Sequence, residues 1–198
     1  MRVLVACEYS GRVRDAFIAN GHDAISCDLL PTEQPGPHHQ GDIFDIIDQD
    51  WDLMVAHPPC TYLTNSGVRW LYEKEGRWEQ MREAAKFFSE LLNAGIPRVA
   101  VENPVMHGYA REIVGSKATQ TVQPWQFGHT ENKRTGLWLR NLPALVPTDD
   151  VKHLMTGMAK KDTDKVHYAS PGKDRWKQRS TTYQGIADAM GAQWGAVG

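Results

Sequence analysis

The stretch Met54-Val55-Ala56-His57-Pro58-Pro59-Cys60 constrains the fold more than any other part of the chain. Its apolar run reads as a strand buried on both faces, the kind found in parallel sheets covered by helices. Pro58 and Pro59 have no N–H to give to a ladder, so they end the strand and fix the path of the turn. Cys60 is then presented at the carboxyl edge of the sheet, where open α/β folds place their ligands. A single cysteine after a strand is a candidate nucleophile; it is equally a small, buried, apolar side chain.

Val99-Ala100-Val101-Glu102-Asn103-Pro104 repeats the arrangement with a carboxylate where the first run has a thiol. If the two strands are neighbours, Cys60 and Glu102 meet at one cleft. Earlier in the chain, Arg2-Val3-Leu4-Val5-Ala6 is a strand, followed by the turn Cys7-Glu8-Tyr9-Ser10-Gly11. Val13, Ala16 and Phe17 mark one face of a helix that Asn20-Gly21 stops, and residues 24–28 form a second strand ending on Asp28. This strand–turn–helix–strand unit opens a nucleotide-binding α/β fold, so the chain is expected to form a single doubly wound sheet. Asp28, about twenty residues past the turn, is placed to accept hydrogen bonds from ribose hydroxyls. An exposed strand-end acid is the alternative.

A chain of 198 residues fits one domain with a substantial core. No stretch is apolar for long enough to span a membrane, and the first residues read as a strand rather than a signal peptide. Cys7, Cys27 and Cys60 are an odd set without metal-ligand spacing, which favours a reducing cytoplasm. The eight histidines show no zinc-type pattern, so no metal is expected. The formal net charge of −2 does not announce a nucleic-acid binder. Between Lys152 and Arg179, however, lie Lys160, Lys161, Lys165, Lys173, Arg175 and Lys177 against Asp162, Asp164 and Asp174. Such a segment is a footprint for phosphates or a solvated loop.

Residues 30–40 are rich in Pro, Gly and His and read as a surface loop, followed by Asp42, a candidate N-cap. The polar loop 61–67 should lie over the site, and residues 78–93 form the clearest amphipathic helix. Another helix-like stretch covers residues 109–114. Lys133 and Arg134 precede an apolar strand, where an ordinary hairpin would also use them. A final helix is expected to open at Arg179 and reach Trp194.

In this order and context, Pro-Pro-Cys followed by Glu-Asn resembles the DNA cytosine-5 methyltransferase family. The resemblance follows the family's motif order from Val3 to about Gly191. It implies the Rossmann-like fold of S-adenosylmethionine-dependent methyltransferases, with Cys60 as nucleophile, Glu102 holding the target base and Arg134 contacting it. Asn103 and Lys133 would adjoin the base. Glu8, Ser10, Gly11, Asp28, Asp42 and Pro58 would face S-adenosylmethionine or a modified analogue, with Asp42 at the adenine amino group. The family's last motif packs a C-terminal helix beside the first strand, and Ser180 and Thr181 are minor candidates there.

Two motifs depart from the family. Of its Phe-x-Gly-x-Gly-Gly loop only Gly11 survives, with Glu8 and Ser10 where glycines would stand, and its Gln-x-Arg-x-Arg pattern is absent. Nor is there a full target-recognition domain. The expectation is one domain over residues 1–198, with a basic loop at 148–178 carrying Lys160, Lys161 and Lys165 in that domain's place, as in a compact, phage-type member. The implied activity is transfer of a methyl or related group to carbon 5 of cytosine in DNA, single-stranded or read through a very short sequence. Three alternatives stay open: the same chemistry on a free cytosine nucleotide, amino-group methylation of DNA, and a non-catalytic module that binds nucleic acid or a partner. Oligomeric state is not legible.

Overall fold

Seven runs of the chain extend into strands: β1 (Arg2–Ala6), β2 (Asp23–Asp28), β3 (His38–Gln40), β4 (Leu53–Ala56), β5 (Arg98–Pro104), β6 (Gln120–Val122) and β7 (Thr135–Arg140). The helices are α1 (Arg12–Ala19), α2 (Trp70–Glu73), α3 (Arg77–Leu92), α4 (Gly108–Val114), α5 (Lys160–Thr163), α6 (Lys165–Tyr168), α7 (Arg175–Ser180) and α8 (Gln184–Gly195). This computed structural model describes residues 1–168, 172 and 175–197. Lys173, Asp174 and the side chain of Arg175, all of the basic segment, lie outside that description.

The strands form one sheet in the order β3-β2-β1-β4-β5-β7-β6. Strands β1 to β5 pair in parallel, and β7 runs antiparallel to both β5 and β6. Successive side chains of a strand point to opposite faces, so each strand feeds two cores. Leu4, Met54, Val99 and Val101 pack on one face with Met81, Ala85, Phe88 and Leu91 of α3. Val3, Val5, Leu53, Val55 and Ala100 pack on the other with Val13 and Phe17 of α1 and Ile186, Met190 and Trp194 of α8. Both faces are covered, which is why these strands are continuous apolar runs rather than alternating ones. The result is the expected doubly wound α/β fold.

Chain order reverses across the β1–β4 pair, so the carboxyl ends of those strands flank a topological switch point. Ala6 lies opposite Ala56, and Ala56 opposite Val101. The segments that follow β1 and β4, and the end of β5, therefore emerge side by side.

Two expectations change. The 30–40 loop contains β3, because His38 to Gln40 pair with Ser26 to Asp28 once the loop has turned back. The final helix is two helices: α7 ends at Ser180, the chain extends through Thr181 and Thr182, and α8 starts after Tyr183. Helix α8 packs chiefly on α1, in the core that also holds Val3 and Val5 of the first strand. Among the described residues no helix is long and apolar enough to cross a membrane.

Candidate active site

A cleft opens at the switch point. It is lined from β1 outward by Cys7 to Ser10, after β4 by His57 to Cys60, by Glu102 of β5, by Lys133 ahead of β7, and by residues 179–182. Cys60 and Glu102 thus share one cavity, as the adjacent strand ends require.

Glu102 sits with its side chain 15% exposed. Burial alone would raise its pKa, but a hydrogen bond from His57, the charges of Lys133 and His57, and a bond from Thr135 hold the carboxyl below its usual range. His57 Nδ1 lies 3.5 Å from Glu102 Oε2. Burial pushes the Cys60 thiol up and Glu102 pushes it further, while Lys133 and Arg179 pull it back. Burial also raises Cys7, beyond the range of ordinary thiols, and Cys27 to about 12. Cys60 is therefore the thiol of the cleft with cations beside it.

The loop after β1 solves the missing-glycine problem internally. Glu8 is buried, and its carboxylate accepts from Val13 N–H at 2.7 Å, Arg14 N–H at 3.2 Å and the Ser10 hydroxyl at 3.1 Å. A carboxylate at the amino end of α1 satisfies donors that Gly11, the N-cap, cannot reach, and it complements the helix dipole. Gly11 has φ of 75°, and any Cβ there would collide with the Arg14 guanidinium. Glu8 and Ser10 consequently close on each other, leaving Tyr9 and the backbone to meet a ligand. The Tyr9 hydroxyl meets Ser180 Oγ at 3.1 Å and Thr181 Oγ1 at 3.2 Å, which holds residues 180 and 181 over the cleft.

Asp28 ends β2 half-buried, where burial raises its pKa and one oxygen accepts from Leu30 N–H at 2.9 Å. Asp42 caps the short turn after β3 by accepting from Phe44 N–H at 3.0 Å. The charges of both carboxylates help to raise the Cys7 thiol, but neither residue lines the cleft.

Other sequence candidates divide. Pro58 and Lys133 line the cleft, and Asn103, fully buried, turns its amide to Pro104 O at 2.6 Å. Arg134 is exposed and does not line the cleft; Lys133 occupies that side instead. Both precede β7, and it is Thr135, the first residue of that strand, that reaches Glu102. Lys160 and Lys161 are exposed on α5, away from the cleft lining. Lys165 pairs with Glu131 at 3.0 Å beside a second, open pocket lined also by Arg12, Lys177 and Tyr183. Sequence reasoning missed His57, Tyr9 and Thr135. His57 carried a signal, a histidine at the carboxyl end of a wholly apolar strand; Tyr9 and Thr135 carried none.

Among solved structures the chain resembles the Entamoeba histolytica methyltransferase EhMeth, with 14% identity over 76% of this chain and a TM-score of 0.50. It also resembles the S. pombe Dnmt2 methyltransferase, with 16% identity over 90% of this chain and a TM-score of 0.48. The fold is that of S-adenosylmethionine-dependent methyltransferases. The chain spans 57% and 62% of the lengths of those two proteins. No family model and no curated protein sequence matches it.

The cofactor of this fold is compatible with the residues present. A half-buried carboxylate with its pKa raised by burial, as at Asp28, gains from the hydroxyl donors of a ribose. Cys7 to Ser10 and Pro58 line the cleft, whereas Gly11, Asp28 and Asp42 are not part of its lining. Among the described residues no group of three or more His, Cys, Asp or Glu is placed to hold a metal ion.

Proposed function

We propose that this protein transfers a methyl or related group from S-adenosylmethionine to carbon 5 of cytosine in DNA, through a covalent bond to Cys60. The observation that carries the reading is the meeting of Cys60 and Glu102 in one cleft at the switch point, with Lys133 beside both. The fold of the solved neighbours supports the transferase class.

Carbon 5 of an intact cytosine ring is a poor nucleophile. Addition of the Cys60 thiolate to carbon 6 breaks the aromaticity and makes carbon 5 enamine-like. Lys133 and Arg179 favour the thiolate that this step requires. Glu102 holds ring N3 and the exocyclic amine. Lys133, rather than Arg134, faces the ring carbonyl and takes up charge developing there. S-adenosylmethionine, when bound between Asp28, Asp42 and the Cys7–Gly11 loop, supplies an electrophilic methyl group. Carbon 5 accepts that group, loses its proton to a base, and Cys60 leaves.

A base in duplex DNA must first be flipped out at a cost of a few kcal/mol, which single-stranded substrate largely avoids. On this reading the basic segment, whose described part includes α5 and α6, serves in place of a recognition domain, with little or no sequence reading. The test is DNA carrying 5-fluorocytosine together with S-adenosylmethionine. Fluorine cannot leave as a proton does, so a persistent protein–DNA adduct is expected, absent in Cys60→Ser and retained in Cys7→Ser and Cys27→Ser. Robust turnover by Cys60→Ser, or nucleoside mass spectra showing modified adenine or N4-methylcytosine, would overturn the reading.

A further inference from the structure

His57 is the least explained polar side chain in the cleft. Its backbone N–H donates to Ala6 O at 2.9 Å, which fixes the residue against the end of β1. Its ring is 7% exposed, Nδ1 faces Glu102, and the buried Nε2 has no hydrogen-bond partner among the described residues. Buried polar groups are nearly always satisfied, and an unsatisfied one in a cleft calls for a reason.

The proposed reaction gives the ring a use through its other nitrogen, Nδ1, which faces Glu102. When Cys60 adds to carbon 6, the electron pair of the C5–C6 double bond moves through C4 and arrives at N3, which needs a proton. Glu102 is the group against N3, yet its surroundings keep it a carboxylate with no proton to give. We infer that His57 and Glu102 form one proton-holding pair. In its cationic form the ring carries Nδ1–H against the Glu102 carboxylate and lends that proton through Glu102 to N3 as the S–C6 bond forms, leaving a neutral imidazole with its remaining proton on Nε2. When carbon 5 loses its hydrogen and the S–C6 bond breaks, N3 returns the proton to the pair, so the loan balances within one turnover. His57 thereby acts through Glu102 as a positioning and proton-supplying residue.

The other titratable and charged groups facing the pair are Cys7 and Glu8 after β1, Cys60 after β4, Lys133 ahead of β7, and Arg179. Glu8 is committed to the α1 cap and the raised Cys7 thiol stays protonated, so neither supplies the proton. Lys133 stabilises the Glu102 anion without standing between it and His57 Nδ1.

This inference rests on the cytosine-5 reading, and the experiment separates the two. The rate of adduct formation on 5-fluorocytosine DNA is measured against pH for the wild-type protein, His57→Asn and Cys60→Ser. Asparagine keeps an N–H donor near the Nδ1 position but holds no exchangeable charge. An adduct formed about a hundredfold more slowly is expected in His57→Asn, the low end for loss of acid–base help, together with loss of the alkaline limb of the wild-type profile. Unchanged rate and pH profile in His57→Asn overturn the proton-holding pair and leave the cytosine-5 reading standing. No adduct in the wild-type protein sinks both. Should His57→Asn not fold, nitrogen-edited NMR of the intact wild-type protein decides instead. A slowly exchanging Nδ1 proton on His57 that disappears in Glu102→Ala supports the pair, and its absence from the wild-type protein overturns it.

Discussion

Glu102 shows how far neighbours can outweigh burial for a single carboxyl. Burial penalises its charged form, and three side chains from separate segments, His57, Lys133 and Thr135, reverse the result. A carboxyl whose folded pKa lies below its unfolded value stabilises the fold fully above the ordinary carboxylate range and loses that contribution as pH falls through the folded value. Glu102→Gln should therefore lose less stability than the wild-type protein on acidification from neutral pH, and denaturant melts across that range check it; parallel curves would show that the carboxylate is not held this way. Asp28 has the opposite sign. Its raised pKa costs stability once pH rises above the ordinary carboxylate range; under the proposed function a ribose hydroxyl would offset that cost. Asp28→Ala should weaken S-adenosylmethionine binding by about 1–3 kcal/mol, the scale for a hydrogen bond to a charged group, as read by calorimetry. Unchanged affinity would remove Asp28 from the cofactor site.

Elements are held to the sheet by a few close contacts that tolerate little change. Gly191 of α8 lies against α1 so closely that a Cβ there would come within 2.6 Å of Ala16 O. Gly191→Ala should cost about 1–3 kcal/mol of stability by overpacking, measured as a lower denaturation midpoint at unchanged slope. Arg14 does similar work for the loop between β2 and β3. Fully buried, it donates to Ser26 and Thr32 and to the carbonyls of Gln34, Pro35 and Pro37, with Asp15 beside its Nε at 2.8 Å. The sequence made β1, β2, β4 and β5 legible as apolar runs buried on both faces, and α1 and α3 legible because each buries a periodic apolar face. It hid β3, three polar residues that pair only after the Arg14-tied loop has returned to β2. It also hid the break between α7 and α8. There the Tyr9 hydroxyl shares hydrogen bonds with a segment some 170 positions away, a tertiary contact with no local signature. At the site, the two strand-end residues Cys60 and Glu102 were readable from proline punctuation. Lys133 was distinguished from Arg134 only by the folded path of the segment ahead of β7, which brings Lys133 and not Arg134 into the cleft lining.

Across the whole molecule the charge balance is near neutral, so any hold on a polymer must come from where the cations lie. Lys133 and Arg179 line the cleft; Arg12, Lys165 and Lys177 line the pocket beside it, against Glu131; Lys160 and Lys161 stand exposed on α5. Several of these already have acidic neighbours, Lys165 with Glu131 at 3.0 Å and Lys177 with Glu33 at 2.8 Å. A phosphate gains less from a lysine that must first leave a carboxylate, so Lys160 and Lys161 should contribute more per charge than Lys165. Each lysine that neutralises a phosphate releases condensed counterions, and the slope of log affinity against log salt counts them. Lys160→Ala with Lys161→Ala should therefore lower that slope by about 1–2 and weaken binding to all DNA sequences alike. Adding Lys165→Ala should change it less than either of the first two. Fluorescence anisotropy with single-stranded and duplex oligonucleotides over a salt series measures this directly. An unchanged slope in the variants, with equal turnover on a free cytosine nucleotide, would show that the basic segment is a solvated loop and that the cleft serves a monomeric substrate.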